Sequence, residues 1–142
     1  TDMVDQNCAY CMEGELVAKF GIKICELETS KVYLFKEQSH PGRCIVAHKK
    51  HVGDMNELTA EERAAYFEDV ARVARAIMAA FHPDKVNYGA YGDTGHHLHF
   101  HLCPKYKDEF EWGGVFLMNP DKKYLSDSEY AEMIEKIKSN IK

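Results

Sequence analysis

The chain has 142 residues and a mass of 16.3 kDa, the size of one domain. Hydrophobic residues at 45% and charged residues at 29% sit near the average for soluble globular chains and exclude a disordered or collagen-like polymer. A net charge of −5 with no dense basic block argues against duplex nucleic acid as a partner, and the longest apolar runs, such as Ala76 to Phe81, are far too short to span a bilayer.

In chain order, the start from Thr1 to Asp5 is acidic and lacks the basic and apolar parts of a signal peptide, which predicts a soluble cytoplasmic protein. Cys8 and Cys11 follow, and their C-x-x-C spacing puts two thiolates within reach of one metal ion or of each other. Cys25, Cys44 and Cys103 lie among apolar neighbours and read as small buried hydrophobes, so the five cysteines do not form a disulfide scaffold. Strands are predicted over Gly21 to Glu26, Lys31 to Lys36 and Arg43 to His48, the last one following a Pro41-Gly42 turn. Thr59 and Glu62 form a capping box that opens a long helix. Its apolar stripe reads as Phe67, Val70, Ala74, Ile77, Met78 and Phe81, and His82-Pro83 ends it. Val86 to Tyr91 is a further strand, leading into a turn at Gly92-Asp93-Thr94-Gly95. His97 to Cys103 alternates as a strand, and a looser, aromatic stretch runs from Pro104 to Pro120. Ser126 with Glu129 opens a terminal helix that places Tyr130, Met133, Ile134, Ile137 and Ile141 on one side. Strands joined mostly by turns, with one long central helix, give an antiparallel α+β domain.

His97-Leu98-His99-Phe100-His101-Leu102 is the most informative segment. Alternation puts His97, His99 and His101 on one face and Leu98, Phe100 and Leu102 on the other, toward the core. Three imidazoles in a row suit an anion or a metal, whereas crowding three groups near their neutral pKa gains nothing for a solvated face. The pattern, preceded by Gly92-Asp93-Thr94 and followed by Pro104, resembles the histidine-triad (HIT) superfamily of nucleotide hydrolases and transferases. Upstream, Val32-Tyr33-Leu34-Phe35, Pro41-Gly42-Arg43, Ile45-Val46 and Lys49-Lys50-His51-Val52 fit the same family in order and spacing, so the resemblance covers roughly residues 8 to 105. It implies a single HIT-like domain over 1–142: a sheet of about five strands, one long helix packed on it, and a C-terminal extension from 106 with a terminal helix.

The resemblance also implies roles. His99 would attack the α-phosphorus of a bound purine nucleotide, and the nucleotidyl-histidine would then pass to water. His101 would donate a hydrogen bond to a phosphate oxygen, and Thr94 would do so with its hydroxyl. The glycines at 92 and 95 would let backbone approach phosphate closely. Glu37 matches the residue that holds the ribose hydroxyls, although a solvated charge explains it as simply. Asn87 would line the same pocket or cap a turn. Asp93 departs from the family's frequent Gln: ionised, its carboxylate would repel phosphate, and protonated it would serve as an acid for the leaving group.

Cys8, Cys11, His51 and His97 together resemble the Cys2His2 set of zinc-bearing HIT proteins and hexose-phosphate uridylyltransferases, which implies a structural tetrahedral zinc. Free thiols with His51 bonded to His97, or a redox pair, are the competing readings. His40, His82 and His96 fit neither site and read as surface or turn residues. The family adds a homodimer and a small-molecule partner carrying an AMP or GMP moiety. Nucleoside phosphoramidates and dinucleoside polyphosphates both remain open as substrates. A zinc-stabilised nucleotide-binding module without turnover is the rival, and a metal hydrolase with all three histidines on one ion is a third reading.

Overall fold

Alternating strands and tight turns build one five-stranded antiparallel sheet in the order β1-β2-β3-β5-β4. The strands are β1 (Gly21–Glu26), β2 (Ser30–Phe35), β3 (Cys44–His48), β4 (Lys85–Gly89) and β5 (His99–Lys105). The protein is described here by a computed structural model covering residues 5–142, and the acidic start before Asp5 lies outside the described residues. Among those residues, no helix is long and apolar enough to cross a membrane.

Both sheet faces are covered, which is why every residue of β3 is buried. Cross-strand partners share a face. Cys44 opposite Leu102 and Val46 opposite Phe100 point to the larger core, while Ile45 opposite His101 and Ala47 opposite His99 point to the smaller one. The larger core lies under α3 (Ala60–Phe81) and α4 (Asp127–Asn140). Both helices begin with the capping boxes read from sequence, Thr59 with Glu62 and Ser126 with Glu129. The α3 stripe differs from the sequence reading. Tyr66, Val70, Val73 and Ile77 form the buried seam, whereas Phe67 and Met78 are 38% and 47% exposed. The helix is rotated so that Tyr66 faces the sheet and donates its hydroxyl to Val46 O at 2.7 Å; Phe67 still rests edge-on against Phe100.

The smaller core is roofed by an N-terminal arm of two short helices, α1 (Ala9–Met12) and α2 (Glu15–Ala18), with Tyr10 and Val17 packed against Tyr33, Phe35, Ile45 and Ala47. Four-residue helices have no stability of their own. Side chains hold the arm instead: Glu13 accepts from Tyr33 at 3.0 Å and pairs with Lys31 at 3.2 Å.

Asp69 ties α3 to the β1–β2 turn. Its buried carboxylate accepts from Thr29 N, Thr29 Oγ1 and Ser30 Oγ at 2.8–2.9 Å. Removing it strands three donors in a largely closed site. Asp69→Ala is therefore expected to cost about 2–3 kcal/mol, read as a lower urea midpoint. A change within about 0.5 kcal/mol, the range of ordinary surface substitutions, would contradict this.

Candidate active site and metal centre

A cleft of about 610 Å³ opens on the arm side of the sheet, lined by Tyr10, Phe20, Phe35 and Ile45 on its apolar wall and by Thr94, Gly95, His99 and His101 on its polar one. The histidine face is thus enclosed: His97 and His101 are 2% exposed and His99 8%. Strand β5 begins at His99, so His97 sits in the bend that precedes it, still lining the cleft.

Backbone carbonyls fix which nitrogen of each ring carries a proton, because a carbonyl only accepts. His99 Nδ1 lies 2.7 Å from His97 O, so Nδ1 carries the hydrogen and the lone pair is on Nε2. Burial pushes the His99 pKa below its ordinary value and keeps that lone pair free at neutral pH. Tyr10 lies 5.1 Å from the His99 ring and helps to hold it, and His101 meets it edge-on at 5.4 Å. Gly95 passes so close that a Cβ there would sit 3.4 Å from His99 Cε1, so this turn closes around the imidazole. Gly92 has open space around it.

His101 Nδ1 lies 3.1 Å from Nη2 of Arg43. Burial, then the Arg43 charge, press the His101 pKa down to about 3. Arg43 in turn donates to Leu117 O at 3.0 Å and Met118 O at 2.9 Å, and packs over Phe35.

His97 Nε2 lies 2.6 Å from His48 O, which leaves Nδ1 bare and turned to the arm. Cys8 Sγ is 3.3 Å and Cys11 Sγ 3.6 Å from that atom; His51 Nδ1 is 3.1 Å from it and 3.3 Å from Cys11 Sγ. All four ligand atoms lie within 4.8 Å of one another. Zinc-to-ligand lengths in a tetrahedron require edges of about 3.3–3.8 Å, so the donor set fits such an ion in both chemistry and spacing. Asp5 Oδ2 lies 3.9 Å from His51 Nε2, within ion-pair range but beyond a hydrogen bond.

The structure therefore brings His97, His99, His101 and Thr94 to one cleft, and Cys8, Cys11, His51 and His97 to one cluster beside it. Three expected nucleotide contacts fall elsewhere. Glu37 is buried outside the cleft, and its carboxylate is taken up by Ser39 N, Ser39 Oγ, Lys122 N and Lys123 N at 2.7–3.0 Å. These donors, Ser39 first, hold its pKa below the usual carboxylate range against the opposing effect of burial. Asn87 lies on edge strand β4 and lines a separate groove with Tyr88, Val115 and Phe116. Asp93 is exposed and does not line the cleft, whereas its neighbour Thr94 does.

His40 is a turn residue, as expected, its O accepting from Arg43 N at 3.1 Å, but it is not on the surface: it is 2% exposed and bonds Glu111 Oε1 at 2.6 Å, because the segment after β5 folds over it. His96 remains exposed yet lines the cleft mouth, and His82 caps α3 in a left-handed conformation. Tyr10, Arg43 and the cleft-lining Met118 and Asn119 were not read as site residues. Arg43 alone left a signal: it shares strand parity with Ile45 and Ala47, a charge on an otherwise apolar face.

The HIT domain family model matches residues 21–108. An adenosine 5'-monophosphoramidase of Schizosaccharomyces pombe, hnt1, is 26% identical, with 96% of this chain and 99% of that protein covered. A histidine triad protein of Sinorhizobium meliloti has the same fold at TM-score 0.82 and 22% identity, over 89% of this chain and 94% of that one. A zinc-bound histidine triad family protein of Mycobacterium smegmatis aligns at TM-score 0.67 and 21% identity, covering 94% and 92%.

Proposed function

The chain belongs to the HIT domain family, and from that premise we propose that it is a nucleotide hydrolase that cuts at the α-phosphate of purine nucleotides through a nucleotidyl intermediate on His99. The observation that carries this reading is the tautomer of His99: Nδ1 is bonded to His97 O, so a neutral, nucleophilic Nε2 belongs to a ring lining the cleft. A base stacks in the pocket of Tyr10, Phe20, Phe35 and Ile45, which sets the α-phosphate beside His99. His99 Nε2 bonds to phosphorus as the bond to the leaving group breaks. His101 and Thr94 donate to the phosphate oxygens as their charge grows. Water then attacks the phosphorus, releasing the nucleotide and restoring His99.

Between the two substrate classes, nucleoside phosphoramidates are favoured over dinucleoside polyphosphates. No Lys or Arg lines the cleft among the described residues, and a polyphosphate chain leaving the site would find no cation to hold it. The activity in the name of the fission-yeast relative supports the same choice.

Zinc is the proposed occupant of the Cys8, Cys11, His51 and His97 cluster, where it would cross-link the arm to the sheet without taking part in the chemistry. Both sulfurs and both imidazole nitrogens converge on one point, with mutual contacts of 3.1–3.6 Å, which supports a cation there. A homodimer completes the proposal, with the exposed edge of β4 beside Tyr88 and Val115 as the surface for a second copy.

The test is to incubate the protein separately with adenosine 5'-phosphoramidate and with diadenosine tetraphosphate and to follow release of AMP. Hydrolysis is expected, with the phosphoramidate consumed faster. Nucleotide binding by calorimetry with neither compound consumed would instead establish a binding module.

A further inference from the structure

We infer that Arg43 is a positioning residue of this site: it locks His101 in the tautomer with its proton on Nε2 and places a permanent positive charge directly behind that donor. The inference rests on the hydrolase reading and adds to it a residue outside the cleft lining.

A guanidinium has five N–H donors, accepts nothing and does not lose its proton in a protein. With Nη2 3.1 Å from His101 Nδ1, the N–H donates and the imidazole nitrogen must present its lone pair. The one proton of the neutral ring is then on Nε2, the side left for a phosphate oxygen. The bond is enclosed, since Arg43 is fully buried and His101 nearly so.

No carboxylate contacts Arg43; Glu37 and Glu111 act on it only through the longer-range field. Its other bonds go to two backbone carbonyls, Leu117 O and Met118 O, and its plane lies 4.2 Å from the ring centre of Phe35 and 4.9 Å from that of Phe116. Among the described residues no carboxylate pairs with it, and its Nε has no hydrogen-bond partner. A buried cation with no carboxylate in contact is costly even with Glu37 and Glu111 in its longer-range field, and a tie to the 117–118 backbone alone does not need a charge. The charge has a use if the cleft receives an anion. Polarised by Arg43, the imidazole becomes a stronger donor from Nε2, and the field adds to it in a site shielded from water. The same charge opposes protonation of His101, so the ring stays a neutral relay between cation and phosphate.

The measurement is long-range 1H–15N correlation NMR on histidine-labelled protein, for wild type, Arg43→Gln and Arg43→Lys, with kcat and KM for the phosphoramidate measured in parallel. Wild type should show His101 with a bare Nδ1 and a protonated Nε2. In Arg43→Gln the spectrum should change to mixed tautomers, and kcat should fall about 10²-fold with KM within about threefold, the loss typical of one weakened oxyanion donor. Arg43→Lys, which keeps the charge but not the fork, should recover part of kcat. A wild-type spectrum with the proton on Nδ1 overturns the inference even if neither variant folds. So does an Arg43→Gln protein with unchanged tautomer and kcat. A wild type that consumes no nucleotide, yet shows the Nε2 tautomer dependent on Arg43, supports the positioning and removes the hydrolase reading.

Discussion

Replacing His99 with Ala is expected to reduce nucleotide hydrolysis by about 10⁴-fold or more, because the proposed route then has no atom to bond to phosphorus. The loss should fall on kcat. His99 occupies one wall of the cleft, and the aromatic pocket of Tyr10, Phe20 and Phe35 remains to hold a base, so affinity for AMP should change by less than about tenfold. The fold should persist as well, since the single hydrogen bond lost is the one to His97 O. Steady-state kinetics with calorimetric binding of AMP separates these effects. A variant that keeps more than a tenth of the wild-type rate would show that another group, or water acting directly, attacks the phosphate.

The second large effect belongs to the cysteine–histidine cluster. The arm that roofs the site consists of two four-residue helices, and the proposed zinc is the strongest of the ties that hold it. Removing the ion by chelation, or its ligands by Cys8→Ser with Cys11→Ser, is expected to lower the Tm by roughly 10 °C, the equivalent of about 3–4 kcal/mol for a domain of this size. Activity should fall less than in His99→Ala: Tyr10 would leave its place against His99, but the nucleophile and His101 would remain. Elemental analysis should find about one zinc per chain in protein purified without added metal. Metal-free protein whose melting is unchanged by both substitutions would return Cys8 and Cys11 to ordinary thiols.

The elements were legible in the sequence where their signals are local. Two capping boxes, the His82-Pro83 stop and the strand over Gly21–Glu26 each involve residues a few positions apart, and each appears in the fold, although a register shift between Lys23 and Cys25 breaks the strand's alternation. The triad was legible for the same reason, because parity on β5 assigns His99 and His101 to one face. The candidate metal ligands came from the family resemblance, and the fold brings them together from the arm, the β3–α3 connection and the bend before β5.

The misplaced expectations at Glu37 and His40 share one origin, the irregular segment between β5 and α4. It has no period, so nothing in its sequence reports that it returns across the sheet. There it takes the Glu37 carboxylate with Lys122 N and Lys123 N, covers His40 with Glu111, and supplies Leu117 O and Met118 O to Arg43. The expected ribose contact at Glu37 was lost to this packing. The one-position difference in the α3 stripe is of another kind: Tyr66 faces the core in place of Phe67, because its hydroxyl finds Val46 O there.

The central claim is a covalent bond between His99 and phosphorus, and rapid quenching tests it most directly. Protein mixed with adenosine 5'-phosphoramidate is stopped in base, where a phosphorus–imidazole bond survives, and analysed by intact mass and peptide sequencing. The account predicts one adenylyl group on a fraction of the chains, located at His99 and missing from His99→Ala. Turnover at full rate with the adduct on another residue, or with none at any quench time, would contradict it.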